Sequence, residues 1–136
     1  MGPTSHFQTE FDSNNGVVRV ALSGELDIAS SPLFEEALDA VIADGSRAVM
    51  IDLRDLTFID SSGLRALLRA RTQAESSGKG LILIGASDSA QRLFELTGMQ
   101  HLLADPKAVE FLDRFTGGNT RSRALIELDQ RSTPNG

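Results

Sequence analysis

The sequence predicts a small α/β domain built on a mostly parallel mixed sheet. Three observations carry this. Residues 6–12 alternate apolar and polar side chains, the pattern of a half-buried strand, and a turn at 13–16 leads to a returning strand at 17–23. Residues 47–53 and 81–85 are nearly continuous apolar runs, as expected of interior strands. Amphipathic stretches of helical period follow the strands. Strands alternating with helices imply right-handed parallel crossovers, giving the order ββαβαβα(β)α with about four helices.

Taken in order, HFQTEFD sets Phe7, Thr9 and Phe11 against Gln8 and Glu10. SNNG is the turn, because Asn15-Gly16 takes the positive φ of a tight hairpin. VVRVALS, 17–23, is the returning strand, ended by GELD at 24–27. The first helix is predicted over 29–45, with Ser31 as N-cap and Pro32 at the first helical position. Glu35 and Glu36 lie early in it and favour the dipole. Phe34, Ala37, Leu38 and Val41 form its buried stripe, and Gly45 stops it.

The strand at 47–53 continues through RDLTF to the stretch FIDSSGLRALL at 58–68, a strand-to-helix junction. Beyond it Leu64, Leu67, Leu68 and Arg71 make one stripe and Arg65, Arg69, Thr72 and Gln73 a polar one. After the strand at 81–85, the helix at 87–98 shows Ala90, Leu93, Phe94 and Thr97 at helical spacing, and Asp88 with Gln91 resembles a capping box. HLLAD at 101–105 suits a short last strand, and 106–118 a last helix. Residues 1–5 are expected to be flexible, 6–116 to form the domain, and 117–136 to be a disordered tail.

Composition excludes several function classes. The chain has no Cys, which removes disulfides, zinc–thiolate sites and cysteine catalysis. It has neither Trp nor Tyr, so it lacks the usual stacking platforms for single-stranded nucleic acid. The net charge of −6 has the wrong sign for a phosphate-backbone binder. No apolar run approaches the ~20 residues that span a bilayer, and the N-terminus has no signal-peptide pattern. The expectation is a cytoplasmic protein with protein partners, no direct nucleic-acid contact and no membrane contact.

The junction holds an acid, two hydroxyls and a glycine in a row, Asp60, Ser61, Ser62 and Gly63. A nucleophile elbow needs Gly two residues before its Ser, and Ile59 and Asp60 stand there instead. A phosphate loop fails as well, since Gly78-Lys79 is followed by Gly80 and runs from helix to strand. The two His are far apart and have no ligand spacing. Glu25, Asp27 and Asp60 could converge on a hard cation, but a solvated acidic rim is the simpler reading. No catalytic residue, metal or cofactor is expected. What remains is a helix cap, for which Asp60, Ser61 and Ser62 could each serve, or a functional use of the junction, since a cap needs only one such residue and three stand in a row.

Three segments, VRVALSGELDIASSPLFEEAL, VMIDLRDLTFIDSSGLRALL and LILIGASDSAQRLFELTGM, resemble the STAS-domain anti-sigma factor antagonists of bacteria. The match covers residues 7–115, and GELD, D-S-S-G-L and R-L-F-x-x-x-G occur in order. The resemblance implies a protein that, unphosphorylated, binds an anti-sigma factor that is also an ATP-using serine kinase, and so frees a sigma factor. Phosphorylation then falls on the first serine of the junction, Ser61, with Ser62 as the fallback, and a phosphatase reverses it. The implied partner surface comprises Glu25, Asp27, Asp60, Ser61, Ser62, Gly63 and Arg65. The alternative within the resemblance is an unmodified STAS interaction subunit of a lipid-transport or stress-signalling complex.

Overall fold

The computed structural model describes residues 6–104. Its elements are β1 (Gln8–Asn14), β2 (Val17–Leu26), α1 (Ser31–Ala43), β3 (Ala48–Ile59), α2 (Ser61–Ser76), β4 (Gly80–Ile84) and α3 (Asp88–Leu96), followed by a 3-10 turn at Gln100–Leu102. The sheet order is β1-β2-β3-β4; the first pair is antiparallel and the next two are parallel. The predicted mixed sheet with its opening hairpin is therefore the observed one. The helix expected at 106–118 and the ends expected to be flexible or disordered, 1–5 and 117–136, lie outside the described residues.

The hairpin turns where expected. Asn15 and Gly16 have φ of 54° and 82°, the left-handed values that Asn and Gly tolerate best. The strands run further than expected. β2 continues through Gly24 and Glu25 to Leu26, with register shifts against β3 at Ala21/Ser23 and Gly24/Glu25. GELD therefore continues the strand instead of ending it.

Alternation decides which face each strand residue takes. Val18, Val20 and Leu22 of β2, Val49, Ile51 and Leu53 of β3, and Leu81 and Leu83 of β4 enter one core with all three helices. Phe34, Leu38, Val41 and Ile42 are the buried stripe of α1. That helix starts differently from the prediction: Ser30, not Ser31, is its N-cap and makes no side-chain cap bond. Its first turn holds no acid, so Glu35 and Glu36 sit too deep to serve the dipole. A missing cap costs ~1 kcal/mol, whereas each large apolar side chain buried contributes ~1.5–3 kcal/mol, so packing decides. Gly45 is not in the left-handed region; Asp44 is the C-cap.

Small residues set the close approach of α2 to its neighbours. Its buried face is Gly63, Leu64, Ala66, Leu67, Ala70 and Ala74, while Leu68 is half-buried. The α3 cap also differs from expectation. Ser87 is the N-cap, its hydroxyl accepting from the N–H of Ala90 at 3.2 Å, and Gln91 pairs with Glu95 instead of closing a box. The expected last strand is reduced to one parallel bridge, Leu83 with Leu103. β4 is less covered than an interior strand, and Ile82 is 44% exposed.

The opposite face of the sheet carries a charge cluster that its strand position alone does not suggest. Asp52 on β3 and Arg19 on β2 are both buried. The Asp52 carboxylate accepts from Arg19 at 2.6 Å and from the Arg54 guanidinium at 2.7 Å. Burial works to raise the Asp52 pKa, but hydrogen bonds from the Arg54 side chain and backbone, with the charges of Arg19 and Arg54, outweigh it and hold the carboxyl below its ordinary range.

Candidate functional site

The carboxyl ends of β2 and β3 lie side by side, with Glu25 opposite Phe58 and Leu26 opposite Ile59. The loop to α1 and the junction to α2 therefore share one corner of the molecule, where loops of parallel sheets carry function. Every residue the sequence singles out, Glu25, Asp27, Asp60, Ser61, Ser62, Gly63 and Arg65, lies on one of these two segments or at the first turns of α2.

Asp60 is the cap of α2. Its Oδ1 accepts from the N–H of Gly63 at 3.0 Å, and its carbonyl accepts from Leu64 at 3.0 Å. One acid does what three residues could have done. Both serine hydroxyls are thereby released from capping. Ser61, the first helical residue, is exposed; Ser62 is half-buried.

Hydrogen bonds stitch the two segments together. The N–H of Asp60 donates to the carbonyl of Leu26 at 3.3 Å. The Ser31 hydroxyl donates to the carbonyl of Asp27 at 2.7 Å and lies 3.4 Å from that of Ser62. Gly63 is buried, and a Cβ there would stand 2.4 Å from the Leu26 carbonyl oxygen. Only glycine lets α2 start this close to β2, so Gly63 shapes the corner from inside and offers no side chain to a partner.

Asp27 is likewise turned to construction. Its Oδ1 accepts from the N–H groups of Ala29 at 3.1 Å and Ser30 at 3.0 Å. The buried Ser30 hydroxyl accepts from the Asp27 N–H at 2.9 Å and donates to the Glu25 carbonyl at 2.7 Å. This knot fixes the loop so that Ile28, next to Asp27, stands 75% exposed.

Ile28 belongs to a group that sequence reading missed. Leu33 on α1 is 56% exposed and Phe58 near the end of β3 is 44% exposed, and both lie at this same end of the sheet. A signal for each was present. Ile28 is a lone large apolar residue in a polar loop, and Leu33 falls off the Phe34-Leu38-Val41 stripe. Phe58 shares β3 with the buried Leu56 and Ile59 but is itself exposed. Where exposed apolar side chains form a contiguous patch rimmed by polar ones, they mark a contact surface.

Among the described residues, no group of three acidic or histidine side chains is placed to hold a metal ion, and no helix is long and apolar enough to cross a membrane. The corner is a hydrogen-bonded, partly apolar, acid-edged surface that includes the exposed Ser61 hydroxyl.

Comparison with known proteins places this architecture. A family model described as "Mlab, STAS domain" matches residues 9–104. An anti-sigma-B factor antagonist of Staphylococcus aureus (strain NCTC 8325 / PS 47) is 34% identical over 84 residues, 62% of this chain and 78% of that protein. Among solved structures, the unphosphorylated form of the anti-sigma factor antagonist SpoIIAA is similar with a TM-score of 0.64 and 26% identity, over 82% of this chain and 96% of that one. The phosphorylated form, from Bacillus, is similar with a TM-score of 0.60 and 26% identity, over 79% and 97%. With its mixed sheet, its stitched corner and these relatives, the chain belongs to the STAS-domain family of anti-sigma factor antagonists.

Proposed function

We propose that the unphosphorylated chain binds an ATP-using serine-kinase anti-sigma factor through the corner around Ser61, frees the sigma factor, and is switched off when that kinase phosphorylates Ser61. A phosphatase restores it. The observation that carries this reading is the exposed Ser61 hydroxyl, released from capping by Asp60, at the end of the sheet where Ile28, Leu33 and Phe58 are also exposed. The likeness to an antagonist known in both phosphorylated and unphosphorylated forms supports it. Ser62 is the lesser candidate because it is half-buried.

The mechanism follows from charge. Phosphorylation adds about −1.5 to −2 charges at neutral pH. At the first helical position the dipole tolerates them, so the fold survives. At a contact surface already edged by Glu25, Asp27 and Asp60, the same charges repel and must be desolvated. A loss of ~3 kcal/mol lowers affinity more than a hundredfold.

The test is incubation with a candidate anti-sigma kinase and ATP, followed by mass spectrometry and binding measurement. Phosphate on Ser61 with loss of binding is the expected result; phosphate on neither Ser61 nor Ser62 would sink the reading. Ser61→Ala should bind and Ser61→Asp should bind less well.

A second reading is an unmodified STAS subunit that docks a partner in a lipid-transport or stress-signalling assembly. The description of the matching family model, which names Mlab, favours keeping it. Stoichiometric binding to a transport subunit, insensitive to Ser61→Asp, would favour it over the switch.

A further inference from the structure

We propose that Arg65 is an intramolecular clamp for a phosphate on Ser61, so that phosphorylation removes a cation from the contact surface as well as adding an anion. This rests on the reading that Ser61 carries the phosphate. Ser61 and Arg65 are four residues apart in α2, the separation that stacks side chains on one helix face. Both are exposed.

The arginines of α2 differ in what they already do. Arg69 pairs with Glu35 at 2.7 Å, and Arg71 with Glu75 at 3.6 Å. Arg65 has no hydrogen-bonding or ionic partner among the described residues. The Ser61 hydroxyl has none either, because Asp60 takes over the cap. Thus the one uncommitted arginine of this helix stands one turn beyond the exposed serine of the junction.

A guanidinium at that distance presents a planar fork that fits phosphate oxygens. Without phosphate, Arg65 is available to a partner. With phosphate, it folds back along α2. The switch therefore changes the surface by more than the phosphate's own charge. The other charged groups at this corner are Asp60 at the cap, Glu25 and Asp27 at the end of β2, and Glu35 paired with Arg69 between α1 and α2.

The experiment needs no kinase. Phosphoserine is installed at position 61 of the full chain by codon suppression, in the otherwise unchanged protein and in Arg65→Gln, Arg65→Lys and Arg71→Gln. The second ionisation of the phosphate, ordinarily near pH ~6, is followed by phosphorus NMR. Arg65→Gln should raise its midpoint by about half a pH unit. Arg65→Lys should recover part of that shift, and Arg71→Gln should leave the midpoint in place. Equal midpoints with and without Arg65, or an equal shift from Arg71→Gln, overturn the clamp. A clamp seen here with no kinase phosphorylation of Ser61 would instead count against the proposed switch, so the two failures are distinguishable.

Discussion

Replacing Gly63 with alanine tests the view that the corner is built by close approach of α2 to β2. The added Cβ would lie 2.4 Å from the Leu26 carbonyl oxygen and 2.9 Å from Ile59 Cγ1 and Leu26 Cγ. Leu26 is fully buried, and its carbonyl is held by the N–H of Asp60, so the backbone atom in the way cannot rotate aside. Overpacking of this kind costs ~1–3 kcal/mol, and more where backbone must move. Against it stands the gain in helix propensity from Gly to Ala, at most ~1 kcal/mol and smaller in a first turn. The net is a loss of ~1–2 kcal/mol, which lowers the thermal midpoint by about 5–10 °C for a domain of this size.

Thermal and urea unfolding followed by circular dichroism measure this directly. Gly45→Ala is the internal control, because a Cβ there meets nothing within 4 Å. It should be neutral or stabilise by a few tenths of a kcal/mol. The reasoning is refuted if Gly63→Ala unfolds at or above the wild-type midpoint while the control behaves as stated. A second consequence concerns binding. Because Gly63 has no exposed side chain, any loss of partner affinity in the folded mutant comes from displacement of Ser61 relative to Ile28, not from a lost contact.

Other changes separate structure from recognition. Asp60→Ala should lose ~1 kcal/mol through the cap on Gly63 N–H, read as a lower urea midpoint at unchanged m. Ile28→Asp should leave the unfolding midpoint within ~0.5 kcal/mol, since Ile28 is 75% exposed, yet weaken partner binding by ~1 kcal/mol or more in calorimetry. Asp52→Asn should destabilise by ~1–3 kcal/mol, because it removes the nearer counter-charge of the buried Arg19 and leaves it only Asp12 at 4.0 Å. Asp52 also fixes a pH dependence. Its folded pKa is depressed, so its stabilisation is present above the unfolded pKa and is lost as pH falls through the folded one. Wild-type stability should therefore decline on acidification below about pH 4, and Asp52→Asn should flatten that decline in a urea series.

Most of the fold was legible because its period was strong. Alternation in β1, the apolar runs of β3 and β4 and the Phe34-Leu38-Val41 stripe each led to the right element. The misreadings cluster where a tertiary neighbour replaces a local signal. Ser31 looked like the better cap because Pro32 follows it, yet the Asp27 carboxylate and Ser30 form the knot that starts α1. Asp88 looked like a capping box, but Ser87 is one residue earlier and its hydroxyl reaches the Ala90 N–H. The alanines of α2 carry little hydrophobic signal, so a wheel built on leucines pointed the buried face slightly wrong. At the site, residue types were readable and roles were not. Asp27 and Gly63 read as surface and serve as scaffold, while Ile28, Leu33 and Phe58 read as ordinary apolar residues and stand in solvent.

That exchange of roles bears on how the proposed switch at Ser61 would work. A loop held by Asp27, a strand end held to Asp60 and a helix seated on Gly63 leave little that could rearrange without breaking buried hydrogen bonds. Each such break costs on the order of 1–3 kcal/mol, so a refolding mechanism would need several at once. The proposed phosphate on the surface of α2 would need none. It would change the charge at the end of the sheet where Ile28 and Phe58 are exposed, with the backbone in place. The rigidity of the corner thus favours an electrostatic switch over a conformational one, and makes a concrete demand on affinity. The effect of phosphate should shrink steeply with added salt, because surface charges are screened over ~8 Å at physiological ionic strength. A conformational switch would keep its full effect in high salt. Measuring the affinity ratio of the two forms at ~0.05 and ~0.5 M salt therefore decides between them, and an unchanged ratio would remove electrostatics as the cause.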